Sequence, residues 1–268
     1  MLIIGEKINA TSKRVAEAIG NKDADFIQGL ARQQVEAGAR YIDVNVGRGQ
    51  GTEQEIADFQ WAIDAIRAVT NAPLSIDSSS AGAIAGALAH YGSGAIIINS
   101  TNAEVERLKT LMPLAKEYEA DIIALAMDDS GVPRDVAGRL KAASAVLDSA
   151  AAFGIPMERI LLDPLVLPLS VDTEQGMVTL KTLEQIKARW PQARTTLGLS
   201  NVSYGLPLRG LINRTLLIMA VYLDLDSVIL DPLDGRLMAH LKAAQVVAGK
   251  DPFCKGYLTD YRKGRIKE

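Results

Sequence analysis

Short runs of Ile, Val and Leu recur along the whole chain, and a stretch of helical length separates each from the next. The run Ala95-Ile96-Ile97-Ile98 shows how strongly this constrains the fold. It does not alternate with polar residues, so a strand made from it is buried on both faces, as in a parallel sheet covered by helices. Strands are expected at 2–8, 41–46, 74–77, 95–99, 121–127, 160–163, 195–200 and 227–230. Helical patterns fill the gaps at 26–37, 53–68, 81–89, 104–118, 133–154, 179–189, 212–223 and 236–247. In the 133–154 window Val136, Leu140, Ala143, Leu147 and Ala150 share one face. Pro133 is expected in the first turn of that helix and Gly154 at its left-handed end. Eight strands alternating with eight helices in 268 residues fit one α/β fold, a single (β/α)₈ TIM barrel spanning 1–268 as one domain.

Composition removes several classes of function. A formal net charge of -3 gives no basic field for nucleic acid. Cys254 is the only cysteine, which excludes an internal disulfide and fits a reducing, cytoplasmic setting. Glu6 follows the N-terminal apolar run too soon for a signal peptide, and the apolar stretch 216–223 is too short to span a bilayer. His90 and His240 both fall in or beside helices, so no His-containing metal set is expected.

Polar residues follow each strand: Glu6 and Asn9, Asp43 and Asn45, Asp77, Asn99, Asp128 after Met127, Asp163, Ser200 and Asn201, then Asp231. In a barrel these positions share the carboxyl-terminal rim, the face that carries catalysis. Helix capping accounts for any one of them about as well. The whole ring is harder to ascribe to capping, which does not require a carboxylate or carboxamide at the last strand position. Buried carboxylates need cations or donors. An all-Asp Mg²⁺ site is one answer, and a neutral heterocycle with several N–H donors is the other. The acidic loop Asp231-Pro232-Leu233-Asp234-Gly235 disfavours a phosphate at the position where barrels often bind one.

The motifs Gly5-Glu6-Lys7-Ile8-Asn9, Asp43-Val44-Asn45-Val46-Gly47, Ile76-Asp77-Ser78, Ile98-Asn99-Ser100-Thr101, Leu162-Asp163-Pro164 and Gly198-Leu199-Ser200-Asn201-Val202-Ser203 resemble those of the pterin-binding methyltransferases. These include the methyltetrahydrofolate:corrinoid protein methyltransferases and the folate module of cobalamin-dependent methionine synthase. Leu211-Ile212-Asn213-Arg214 is similar to the same family, and the resemblance covers nearly the whole chain. It implies that Asp77, Asn99 and Asp163 hydrogen-bond the pterin's pyrimidine ring. Asn201 would meet N5, the nitrogen that carries the methyl group, with Arg209 near the same network. The implied pterin-binding set also takes in Asp43, Met127, Gly198 and Ser200, with capping as the alternative for Asp43, Asp128 and Asp231.

The implied chemistry is methyl transfer between N5 of (methyl)tetrahydrofolate and the cobalt of a corrinoid. The same site serves either direction, demethylating methyltetrahydrofolate or methylating tetrahydrofolate, and the strand-five loop leans toward methylcorrinoid to tetrahydrofolate, as in demethylation pathways. The corrinoid would arrive on a separate corrinoid-binding protein, no metal would be bound by this chain, and a homodimer is the family expectation. The Asn201 amide oxygen would accept a hydrogen bond from protonated N5, an interaction stronger in the transition state than with neutral substrate.

Two departures stand out. The loop Ser203-Tyr204-Gly205-Leu206-Pro207 is nearer to the methionine-synthase module, and Asp128-Asp129 stand where other members carry Asn and Lys. Two alternatives remain: a dihydropteroate synthase-like enzyme, whose late Arg-x-His is lacking at Arg236-Leu237-Met238, and a non-catalytic folate-binding protein. Lys7 is expected to touch a folate tail or to form a surface ion pair, and Trp61 and Trp190 to pack. The segment 215–223 is expected to be either covered or a dimer face, and 255–268 a solvated basic tail.

Overall fold

The computed structural model describes residues 1–266; Lys267 and Glu268, the end of the expected tail, lie outside the described residues. Eight parallel strands run β1 (Leu2–Asn9), β2 (Tyr41–Asn45), β3 (Leu74–Asp77), β4 (Ile96–Thr101), β5 (Asp121–Leu125), β6 (Ile160–Asp163), β7 (Arg194–Thr195) and β8 (Ser227–Leu230). From β1 to β7 each strand pairs with the next, and β8 pairs with β1. The last seam, between β7 and β8, is closed by the Ile229 amide donating to the Leu197 carbonyl at 2.9 Å and by a bridge between Gly198 and Ile229. The fold is therefore a (β/α)₈ barrel.

The helices are α1 (Lys13–Gly20), α2 (Ala24–Glu36), α3 (Thr52–Arg67), α4 (Ala81–Tyr91), α5 (Val105–Glu117), α6 (Val136–Ala152), α7 (Gln175–Arg189), α8 (Arg209–Tyr222), α9 (Gly235–Val247) and α10 (Lys255–Arg262). Their starts follow local chemistry. Asp23, Ser80, Asp135 and Asp234 each accept a backbone N–H of the first turn, contacts worth about 1 kcal/mol apiece.

Four expectations need correction. The helix expected from Pro133 starts at Val136, because the Asp135 carboxylate caps the Gly138 amide at 2.7 Å. Strand five ends at Leu125 rather than 127, where the Met127 amide turns back to the Leu125 carbonyl. Strand seven is not 195–200: it has two ladder residues, and 199–203 form a 3₁₀ turn. An additional helix, α1, lies between β1 and α2; the basic tail has no buried residue over 255–266, as expected, although 255–262 coil as α10.

The barrel interior is filled, not hollow. Ile4, Ile97, Ile123 and Leu161 are fully buried in one cluster, with Leu2, Tyr41, Leu125 and Ile229 packed against it. A larger apolar layer lies between strands and helices, and Trp61 and Trp190 pack on it. At the lower end Asp121 pairs with Arg194. The apolar plug is the floor on which the polar rim stands. Along the strands side chains alternate in and out, so the parallel register setting Asp43 beside Ser75, and Asp77 beside Asn99, carries all four inward.

Candidate active site

The strand ends build two connected clusters on the carboxyl-terminal rim. In the first, the Asp43 carboxylate accepts the Ser75 hydroxyl at 2.6 Å and the Asn99 amide at 3.0 Å. Burial pushes the Asp43 carboxyl well above the ordinary range, and the neighbouring Asp77 charge pushes it further. Its two hydrogen bonds offset this only in part. Asp43 is therefore no helix cap. It orients the Asn99 side chain. Asp77 is likewise raised by burial, with Glu55 adding to the shift, and accepts the Asn45 amide at 3.1 Å. The Arg107 guanidinium lowers the cost of its charge. Yet Arg107 spends its N–H groups on the carbonyls of Ser78, Ser79 and Ser100.

The second cluster centres on Asp163, which is buried. It accepts backbone N–H groups from Leu165, at 2.8 Å, and from Gly198. Burial raises its carboxyl to about 6, against the opposing effects of those amides and of Arg139. Arg139 is 0% exposed. Its guanidinium donates to the carbonyls of Pro133, Pro164 and Leu165, to Thr179 and to Gln175. It thus fixes the loop after β6 while standing behind Asp163.

Gly198 then leads into the 3₁₀ turn. A β-carbon there would sit 3.4 Å from the Asn201 amide nitrogen, so glycine lets that side chain fold down over the strand end. The Asn201 side chain is otherwise exposed and makes no hydrogen bond of its own among the described residues. Arg209 holds the turn, donating from Nη2 to the Ser200 carbonyl at 2.6 Å and from Nε to the Ser203 hydroxyl at 3.0 Å. The Ser200 hydroxyl donates to Glu6 at 2.6 Å. Burial raises the Glu6 carboxyl, and the Ser200 hydrogen bond offsets it in part. Lys7 pairs with Asp231 at 2.9 Å, so the ion pair is the alternative that forms.

The expected residues therefore divide. Asp43 contacts Asn99 and feels the charge of Asp77, Asp163 contacts Gly198, and Arg209 contacts Ser200. Asn201 lies against Gly198 without a side-chain hydrogen bond among the described residues. Met127 is half-buried in the turn beyond β5, its carbonyl accepting the Ala103 amide at 2.9 Å. Asp128 accepts the Ser130 amide and hydroxyl, and Asp231 the Leu233 amide, both as turn residues. Sequence reasoning passed over Ser75, Arg107 and Arg139. An arginine in a helical pattern reads as solvent-facing, and no local signal marks Arg139 as buried or Arg107 as half-buried. Among the described residues no group of three or more His, Cys, Asp and Glu is placed to hold a metal ion.

Comparison with known proteins gives the same picture. Residues 5–230 match the family described as pterin binding enzyme. The methylcorrinoid:tetrahydrofolate methyltransferase of Eubacterium limosum is 31% identical over 268 residues, 99% of this chain and 98% of that protein. The methionine synthase of Mycobacterium leprae is 30% identical over 220 residues, covering 77% of this chain but 18% of that much longer protein. Among solved structures, the 7,8-dihydropteroate synthase of Vibrio fischeri superposes with a TM-score of 0.67 at 19% identity, covering 93% of each chain, which is a likeness of fold. With the strand-end motifs placed on one rim and the match spanning most of its length, the chain belongs to the family of pterin binding enzymes.

Proposed function

We propose that this protein is a methyltransferase moving a methyl group between N5 of tetrahydrofolate and the cobalt of a corrinoid carried by a separate protein. One observation carries the pterin assignment. Asp163 is a buried acid and Asp77 a half-buried one, both with spare acceptor capacity, Asp77 holding one side-chain donor and Asp163 two backbone donors. A carboxylate has about four acceptor sites, and unmet ones are costly when buried. The donor edge of a pterin, with its exocyclic amine and ring N–H, fits that deficit without a metal. Asn99, oriented by Asp43, adds a carboxamide oxygen to the same rim.

The reaction needs N5 protonated whenever the pterin is the leaving group. Asn201 has its amide unused at the adjoining strand end. Its oxygen accepts from N5–H⁺, and the proton comes from solvent or a relay. The preferred direction, from methylcorrinoid to tetrahydrofolate, is supported by the name of the E. limosum relative that aligns end to end. A dihydropteroate synthase reaction would need cations for a pyrophosphate, whereas Lys7 is engaged by Asp231.

We take the 268 residues as one cytoplasmic pterin-binding domain that works as a homodimer. The α8 face supports the dimer: Ile218 and Met219 are each 41% exposed and Tyr222 is 77% exposed. The experiment is direct. Protein, 5-methyltetrahydrofolate and cob(I)alamin are mixed, and the methylcobalamin spectrum is followed, with the reverse reaction run from methylcobalamin and tetrahydrofolate. Folded protein that binds folate but gives no spectral change in either direction would be a binding protein instead.

A further inference from the structure

We infer that the cleft beside β1 seats the benzoyl-glutamate arm of the folate, with Arg14 holding its carboxylates. This rests on the pterin reading above. The cleft is about 480 Å³ and lies among the loop after β1, α1 and α2, a size ordinary for a small-molecule site. Ser200 forms one wall, and the next residue is Asn201, assigned to N5. In folates N5 is bonded to C6, the ring carbon from which the arm departs. The arm therefore leaves the pterin on the Asn201 side, where this cleft begins.

The chemistry along the cleft follows the chemistry along the arm. Glu6, bonded to Ser200 at 2.6 Å, offers an acceptor for the arylamine N–H. Val15, Phe26 and Leu30 supply an apolar wall for the aromatic ring. Arg14 is exposed, with its guanidinium 4.6 Å from the Phe26 ring centroid, and has no carboxylate partner among the described residues. Lys7, the other cation lining the cleft, is already paired with Asp231. The start of α1 is consistent with an anion here. Its first turn holds no acidic residue and no side-chain cap, where negative charge is normally favoured.

The test compares dissociation constants for a tetrahydropterin lacking the arm, for tetrahydrofolate and for its triglutamate, using wild type, Arg14→Ala and Arg14→Glu. Loss of one exposed charge contact weakens arm-bearing ligands about two- to fivefold. Charge reversal weakens them further, most for the triglutamate, while the arm-less pterin follows wild type. Equal losses for all three ligands, or none for any, would overturn the assignment of the arm. Wild-type protein that binds none of the three overturns the pterin reading itself, a result distinct from one in which folate binds and Arg14 is irrelevant.

Discussion

Lowering the pH from 7.5 to 5 is expected to weaken pterin binding about tenfold through Asp163 alone. Its carboxyl titrates at about 6 in the folded protein, against an ordinary value of 3.8. The ionised fraction then falls from about 0.97 to about 0.09 across that range, and only the ionised form accepts both the backbone amides and the pterin donors. Asp77, also shifted upward, steepens the curve. For the ligand-free protein the sign is opposite. A raised folded value means that the native state binds more protons between pH 3.8 and 6, so stability is lost as pH rises through that window. The loss is about 3 kcal/mol for Asp163, and a bound pterin recovers it. Calorimetric titration at several pH values, in two buffers of different ionisation heat, should show about half a proton released per pterin from each of Asp163 and Asp77 at pH 6, rising toward one from each near pH 5. Asp163→Asn should flatten the curve by one proton. The same variant should bind about ten- to a hundredfold more weakly at pH 7.5, yet melt higher than wild type there and not at pH 4. An affinity that stays level from pH 7.5 to 5, or an Asp163→Asn curve as steep as wild type, would refute the reasoning.

Three further outcomes are expected. Asn201→Ala should slow methyl transfer about a hundredfold or more with little change in tetrahydrofolate affinity, by analogy with a lost transition-state amide; single-turnover rates within a factor of two of wild type would remove Asn201 from the mechanism. Arg139→Met leaves the buried Pro164 carbonyl and the Gln175 amide oxygen without their donor, while Leu165 keeps the Thr179 hydroxyl, so denaturant unfolding should show a loss of about 3 kcal/mol or more. Tyr222→Glu on the exposed face of α8 should convert a dimer to a monomer in sedimentation analysis, and a protein that is monomeric before the substitution would dispose of that interface.

The strand ends were legible because parity along a strand is a local property. The runs at 74–77, 160–163 and 227–230 match β3, β6 and β8 to the residue. Each is a short aliphatic run bounded by turn residues. Asp77, Asn99 and Asp163 follow from the same pattern. The seventh strand misled because Leu197-Gly198-Leu199 reads as more apolar ladder. In the fold the chain leaves β6 after Thr196, reaches across to β8 at Leu197, and coils as a 3₁₀ turn. That crossing is set by barrel closure, which no local window contains. The helix α1 escaped for another reason: Val15, Ala18 and Ile19 do share one face, but at eight residues it is shorter than the other patterns read as helices. Capping stayed open for Asp43 because its partner Ser75 lies 32 residues away, across a register that the sequence does not specify.

The two arginines that sequence reasoning missed explain how the rim can keep acids ready for a ligand. An arginine paired directly with Asp77 or Asp163 would ionise it fully but would also consume the acceptor sites that a pterin needs. Here Arg107 and Arg139 spend their N–H groups almost entirely on backbone carbonyls and amide or hydroxyl oxygens. Their charges still lower the cost of ionising Asp77 and Asp163 respectively. Each acid is supported through space while its lone pairs stay available. Removing the Arg139 charge with Arg139→Met should therefore raise the Asp163 titration above its present value of about 6. In the folded fraction of that variant, the pH at which pterin affinity falls should move upward. A lost fold without any movement of that midpoint would reduce Arg139 to a loop clamp, and the electrostatic half of the argument would fail while the packing half stood.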